Sequence, residues 1–311
     1  MGVMYEILST PGAYLMPAFY DSHAPRRSMP PMRVPFGEDR LQHVVVWEPD
    51  EVTHAETVVW FHGGGYLVGT PESMSNAADV YNAQGYRFAS VGFRLMPWHR
   101  FPAQVYDAFV GVREMLCWLT NRGETGGIIL GGSSAGGMSA ALVAYGRDLQ
   151  DLYHVDGSQV KAYVSCAAVL DAADMLVDCA PPGPAGAAFY RTGLDLPGCD
   201  PTDRDSVRTM LLPYSPIDVI RREVVEGTLP HVPYFGVHGT ADEMSPIETE
   251  RAFASELACA LGPGCSTLHE VSDPRWQHMV TTVTTYKRQV DADPVLSHLF
   301  SWLDRCRCWG W

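Results

Sequence analysis

Ile128-Ile129-Leu130-Gly131-Gly132-Ser133-Ser134-Ala135-Gly136-Gly137 is the stretch on which the fold of this 311-residue chain turns. An apolar strand runs into G-x-S-x-G, and a helix of small residues, Gly137-Met-Ser-Ala-Ala-Leu-Val-Ala, follows. Strand, sharp turn and helix in that order form the context in which a serine hydroxyl is projected from a strained turn. Such a turn needs residues without a Cβ at Gly132 and Gly136, where strand and helix crowd each other. The helix that starts here also aims N–H groups and its positive end at any anion formed beside Ser134.

Upstream, the apolar run Thr57 to Phe61 opens directly onto His62-Gly63-Gly64-Gly65-Tyr66. Glycines in series let backbone N–H groups approach a substrate closely, and after a strand they are suited to donate to the oxyanion of a tetrahedral intermediate. Phosphate cradling is the rival use of such a loop. It is disfavoured because Gly63-Gly64-Gly65 fits neither G-x-x-x-x-G-K-[ST] nor G-x-G-x-x-G, and no lysine follows. His62 reads as a structural histidine that holds the loop.

Around these two segments short β-branched runs alternate with helical ones, the pattern of a mainly parallel sheet flanked by helices. The expected strands are His43 to Trp47, Thr57 to Phe61, Phe88 to Phe93, Gly127 to Leu130, Val160 to Cys166, Tyr234 to Val237 and Ser266 to Val271. Apolar spacing of three and four predicts helices at about Ala103 to Leu119, Ala135 to Arg147, Ile247 to Leu261 and Val290 to Cys306. Hydrophobic residues make up 46% of the chain and charged residues 19%, which permits a sizeable core and excludes disordered and fibrous classes. Twenty-two Lys and Arg against 36 Asp and Glu leave a net charge of −14, which argues against a nucleic-acid partner.

A serine hydroxyl is a weak nucleophile unless a base takes its proton, and the base needs an orienting carboxylate. In this layout the order along the chain is serine, acid, histidine. The strand Tyr234 to Val237 leads into His238-Gly239-Thr240-Ala241-Asp242-Glu243-Met244-Ser245-Pro246, which places Asp242 or the adjacent Glu243 just past a strand's carboxyl end, where ligands bind in such sheets. Of the later histidines, His269 falls inside a strand-like run and His298 on an amphipathic helix face. His278 follows the loop Ser272-Asp-Pro-Arg-Trp-Gln, so it is the candidate base. His238, at the head of the acid loop, reads as structural.

The ordered set His62-Gly-Gly-Gly-Tyr66, Phe93-Arg94-Leu95, Phe101-Pro102-Ala103, Asp107, Gly132-Ser-Ser-Ala-Gly-Gly137, His238-Gly-Thr-Ala-Asp242 and His278 resembles the α/β-hydrolase superfamily. Within it, residues from about 43 to 305 are similar to the hormone-sensitive-lipase-like carboxylesterases. The resemblance implies an α/β-hydrolase fold, with Ser134, Asp242 and His278 as a catalytic triad and Asp242 preferred over Glu243. It also implies oxyanion N–H groups from Gly64, Gly65 and Ala135, with Gly63 shaping the loop, and a structural role for Asp107. The chain departs from that pattern in two places. Ser133 stands where the family commonly has an acid, and Phe93-Arg94-Leu95-Met96-Pro97-Trp98 replaces Tyr-Arg-Leu-Ala-Pro-Glu. The acid loop looks more like the feruloyl-esterase, prolyl-oligopeptidase and dienelactone-hydrolase branches. Short fungal hydrolases of secondary-metabolite pathways share this mixture.

Two segments lie outside the alternation. Residues 1–42, with Pro11, Pro17, Pro25, Pro30, Pro31 and Pro35, read as an irregular arm, and Asp171 to Tyr214, rich in Ala, Gly and Pro, as a cap-like insertion covering a pocket. Tyr5, Phe19, Tyr20, Phe189 and Tyr190 are candidate wall residues of that pocket. Because the candidate site residues are drawn from strand ends along the whole chain, 1–311 is expected to be a single domain. Glu6 and the early prolines do not make a signal peptide, and no run of eighteen apolar residues occurs, so a cytoplasmic protein without membrane spans is expected. Eight cysteines without C-x-x-C spacing read as free thiols, and Cys306-Arg307-Cys308 as a helix end rather than a metal site.

The chemistry expected is hydrolysis of a small or medium-sized carboxylic ester through an acyl-enzyme, with no metal or organic cofactor implied. Acyl transfer, cyclisation, or amide or thioester cleavage in a biosynthetic pathway uses the same covalent step with a different acceptor or leaving group. A non-catalytic ligand receptor on the same fold predicts a damaged triad, whereas this chain keeps a candidate for every role. The acyl and alcohol groups and the oligomeric state are not encoded in any motif.

Overall fold

The computed structural model describes residues 29–173, 193–262, 264–274, 276, 278, 294–308 and 310. Among them, eight strands form one sheet: β1 (Met32–Pro35), β2 (His43–Trp47), β3 (Thr57–Phe61), β4 (Arg87–Val91), β5 (Ile128–Ser133), β6 (Val160–Cys166), β7 (Tyr234–Gly239) and β8 (Ser266–Val271). Their spatial order is β1-β2-β4-β3-β5-β6-β7-β8. The two pairings that involve β2 are antiparallel and all the others parallel. Crossing from β3 over β4 and then back to β5 puts β3 and β5 side by side, with Phe61 level with Gly132. The glycine loop after β3 and the serine turn after β5 therefore leave the sheet at the same edge.

The central strands are legible because they are buried on both faces, so β-branched and aromatic residues run with little interruption. All five residues of β3 and of β4 are buried. Alternate side chains feed two cores. Val44, Val46, Val59, Phe61, Ala89 and Val91 face one side, and Val45, Trp47, Val58, Trp60 and Phe88 the other. The first core is closed by α2 (Ala103–Asn121), α3 (Ala135–Tyr145), α4 (Arg147–Tyr153), α6 (Pro216–Glu226) and α7 (Ile247–Leu261). The second is closed by α1 (Ser75–Ala83) and α8 (Pro294–Cys308).

Several sequence expectations change. The described end of the arm contains β1, paired to β2 with Arg33 opposite Val45, so residues 32–35 are a sheet edge rather than irregular chain. The single helix expected over Ala135 to Arg147 is two, because the chain turns at Gly146 (φ −82°, ψ 85°) before α4 begins. The insertion Asp171 to Tyr214 is not wholly without regular structure. It holds α5 (Arg204–Leu211), capped by the Asp203 carboxylate accepting from the Asp205 N–H, with Val207 and Leu211 buried. The Gly193 carbonyl and the Asp195 N–H are bonded to the backbone of Phe101, which ties the insertion to the segment before α2. The wall candidates Tyr5, Phe19, Tyr20, Phe189 and Tyr190, and residues 290–293 of the last expected helix, lie outside the described residues.

Candidate active site

Ser134 sits between β5 and α3 with φ 54° and ψ −127°. Such a backbone costs a non-glycine residue about 1–3 kcal/mol and persists only where surrounding contacts hold it. Here the Ser134 N–H donates to the Cys166 carbonyl at the end of β6 (3.1 Å), and its own carbonyl accepts from the Val169 N–H (3.2 Å). The close approach of strand and helix explains both flanking glycines. A Cβ on Gly132 would stand 2.4 Å from the Gly136 carbonyl oxygen, and one on Gly136 2.3 Å from the His62 carbonyl oxygen.

Three side chains from different elements meet at this turn. His278, beyond β8, places Nε2 2.8 Å from Ser134 Oγ and Nδ1 2.8 Å from Asp242 Oδ2. Asp242 follows β7, and its Oδ1 accepts from the backbone N–H groups of Met244 and Ser245, each at 2.9 Å. The Ser245 hydroxyl donates to the Ala168 carbonyl (3.1 Å), which fixes the acid loop to the segment after β6. A carboxylate only accepts, so His278 Nδ1 carries the hydrogen and Nε2 presents a lone pair to the serine hydroxyl. Burial works against the charge on Asp242. Hydrogen bonds from His238 and His278 and the Ser245 amide outweigh it and hold the carboxyl well below the usual carboxylate range.

The alternatives left open by sequence separate here. Glu243 is exposed, whereas Asp242 is buried. His269 and His298 face each other, with Nδ1 atoms 3.0 Å apart, while His278 reaches both Ser134 and Asp242.

The glycine loop lies against the serine turn. A Cβ on Gly63 would be 3.1 Å from the Ser133 carbonyl oxygen and 3.3 Å from Ser134 Cβ. Gly64 (φ 119°) and Gly65 (φ 61°) adopt the left-handed conformations that glycine takes at no steric cost, and the Gly64 carbonyl accepts from the Leu67 and Val68 N–H groups. His62 is buried beneath the loop, donating from Nδ1 to the Gly63 carbonyl (2.7 Å) and stacked on Phe93 with ring centroids 4.2 Å apart. Burial drives its pKa down to about 4, so it stays neutral and structural. Tyr66, next in the loop, reaches Ser139 of α3 through a 2.8 Å hydroxyl contact. Asp107 receives the Arg94 backbone N–H (2.8 Å), the Arg94 guanidinium and the Gln42 amide, which braces the segment after β4. Ala135 opens α3, whose first N–H groups have no partner within the helix.

A family profile described as alpha/beta hydrolase fold matches residues 58–181, the stretch that carries the glycine loop and the serine turn. The chain has the α/β-hydrolase fold. The resemblance read from the motifs holds. The chain is 31% identical over 108 residues to the esterase LipI of Mycobacterium tuberculosis, covering 32% of each protein. It is 30% identical over 138 residues to the carboxylesterase NlhH of the same organism, covering 40% of this chain and 42% of that one. The matched stretches thus span about a third to two fifths of the curated relatives' length. The structure of an inhibited esterase B from Lactobacillus rhamnosis superimposes with a TM-score of 0.71 at 20% identity, covering 98% of this chain and 96% of that one, a likeness of fold.

What the sequence reading missed is the surroundings of His238. Its Nδ1 is bonded to Glu250, and its Nε2 lies 2.8 Å from the Ser245 carbonyl oxygen and 3.3 Å from Asp242 Oδ2. The signal was present in the helix Ile247 to Leu261. Glu250 occupies the inward stripe with Ile247, Phe253 and Leu257, where an acid is out of place unless it has a buried partner. Among the described residues no cluster of His, Cys, Asp and Glu has the makings of a metal site, and no helix is long and apolar enough to cross a membrane.

Proposed function

We propose that this chain is a serine hydrolase that cleaves a carboxylic ester of a small or medium-sized substrate through an acyl-enzyme. The observation that carries the reading is the continuous hydrogen-bonded line Ser134 Oγ, His278 Nε2, His278 Nδ1, Asp242 Oδ2, with both contacts at 2.8 Å, on a strained turn at the head of a helix. His278 Nε2 takes the serine proton as Oγ bonds to the ester carbonyl carbon. The oxyanion so formed is met by N–H groups of the Gly63, Gly64 and Gly65 loop and of Ala135. As the tetrahedral species collapses, the carbon–alkoxy bond breaks and His278 returns the proton to the leaving alcohol. Water, deprotonated by the same imidazole, then attacks the acyl carbon and releases the acid and free Ser134. Asp242 holds the imidazole in the required tautomer and stabilises its charged form. No organic cofactor enters this sequence of steps.

The esterase and carboxylesterase relatives support the ester as substrate class. The β5–α3 turn, the β7 loop and the β8 loop all contribute to one site, so the chain acts as one catalytic unit. A panel of chromogenic acyl esters of rising chain length tests the proposal. Release of equal amounts of acid and alcohol, with a preference for one range of acyl length, is expected. Turnover of none of the panel, or products in which the acyl group is always passed to an acceptor other than water, would contradict ester hydrolysis.

A further inference from the structure

We propose that His238, held as an imidazolium by Glu250, is a positioning residue for Asp242 at the Ser134 site. The inference rests on the roles given above to Ser134, His278 and Asp242.

Glu250 is completely buried. Its Oε1 accepts from the Tyr234 and Ser165 hydroxyls, and its Oε2 faces His238 Nδ1. On the other side of the ring, Nε2 faces two acceptors, the Ser245 carbonyl and Asp242 Oδ2, so Nε2 must carry a hydrogen. The remaining proton lies between Nδ1 and Glu250. Imidazole is the stronger base by about two pH units, so the proton sits on nitrogen. Burial opposes a charge on the ring, but Glu250 and Asp242 together outweigh it and push the imidazolium up to about 10.

The other groups around the ring do not cancel this charge. Tyr163 of β6 and Tyr234 of β7 have hydroxyls raised well above their ordinary range by burial and by Glu250, so both stay neutral. Glu270 of β8, the register partner of His238, is engaged by Arg251 of α7. His278 meets the same Asp242 oxygen as His238, from which it lies at 2.8 Å against 3.3 Å. Oδ2 is therefore shared between a permanent cation and the general base. The cation keeps Asp242 ionised, and its N–H helps fix the oxygen that orients His278.

His238→Gln keeps an N–H donor but removes the cation. Glu250→Gln removes the anion that retains the ring proton, and so removes the cation next to Asp242 as well. In both variants kcat should fall about tenfold or more with KM within about twofold of wild type, while Glu250→Asp, which keeps the charge, should hold kcat closer to wild type. The double variant His238→Gln/Glu250→Gln orphans no buried charge and should show the same fall in kcat, which keeps the test open if a single variant does not fold. In the wild-type protein, nitrogen-15 spectra should show both His238 ring nitrogens protonated at about pH 8. A wild-type kcat in the double variant, an equal fall in Glu250→Asp, or a neutral His238 ring at that pH would overturn the inference. Phosphonate labelling separates the two levels. Labelling of Ser134 together with a wild-type kcat in the double variant defeats the role of His238 alone, whereas absence of labelling in the wild-type protein defeats both it and the serine-hydrolase reading.

Discussion

Ser134→Ala is expected to lower kcat by on the order of 10⁶ without unfolding the protein. The change removes only Oγ. The positive φ at this position is imposed by the bonds to the Cys166 carbonyl and the Val169 N–H, which are backbone contacts that alanine keeps. Glycines 132 and 136 still allow strand and helix to approach, so the turn survives with no nucleophile on it. The residual rate expected from donors and binding alone is on the order of 10³ to 10⁴ above the reaction in water. Steady-state kinetics on one chromogenic ester, with a thermal melt as the fold control, read both halves. A variant that keeps its melting temperature and more than about a tenth of its activity would mean that Ser134 is not the nucleophile.

The second large effect is expected from Asp242→Asn, a loss of about 10⁴ in kcat. The reason lies in which oxygen does what. Oδ1 accepts two backbone N–H groups, from Met244 and Ser245, so the asparagine carbonyl must occupy that position and its NH2 must replace Oδ2. That amide then points donors at His278 Nδ1, which has to become an acceptor. The hydrogen moves to Nε2, facing Ser134 Oγ, and the base is lost as a base. His238 Nε2 keeps the Ser245 carbonyl as its partner but loses the carboxylate at 3.3 Å. Kinetics across pH distinguish this from misfolding, because a wrong tautomer lowers kcat while leaving KM and the melting profile close to wild type. A loss of less than about tenfold would contradict the orienting role.

How much of this was legible in the sequence depends on how local each feature is. The serine turn and the glycine loop are written in contiguous residues, because both are backbone devices that need glycine where strand, helix and substrate crowd together. The central strands could be read because parallel strands are buried on both sides. The edge strand Met32–Pro35 could not, since it has exposed and half-buried residues and lies among prolines. The helix Arg204–Leu211 is mostly polar and follows a stretch rich in Gly and Pro, so only the i, i+4 pair Val207 and Leu211 marked it. The choice of Asp242 and His278 came from chain order and from family likeness. Their meeting at Ser134 depends on the sheet order, which brings β5, β6, β7 and β8 side by side. The partnership of His238 with Glu250 was harder still, because it forms only when α7 packs its inward stripe onto β7. A carboxylate among Ile247, Phe253 and Leu257 was the one trace it left.

If Ser134 is a nucleophile activated by His278, a covalent probe that reacts only with such a serine reads it out. Wild-type protein treated with an alkyl phosphonate carrying a good leaving group should gain the mass of one phosphonyl group, and peptide mapping should place it on Ser134. His278→Ala should slow the labelling by several orders of magnitude, and Ser134→Ala should abolish it. An unmodified wild-type protein, or an adduct on any residue other than Ser134, would contradict the account.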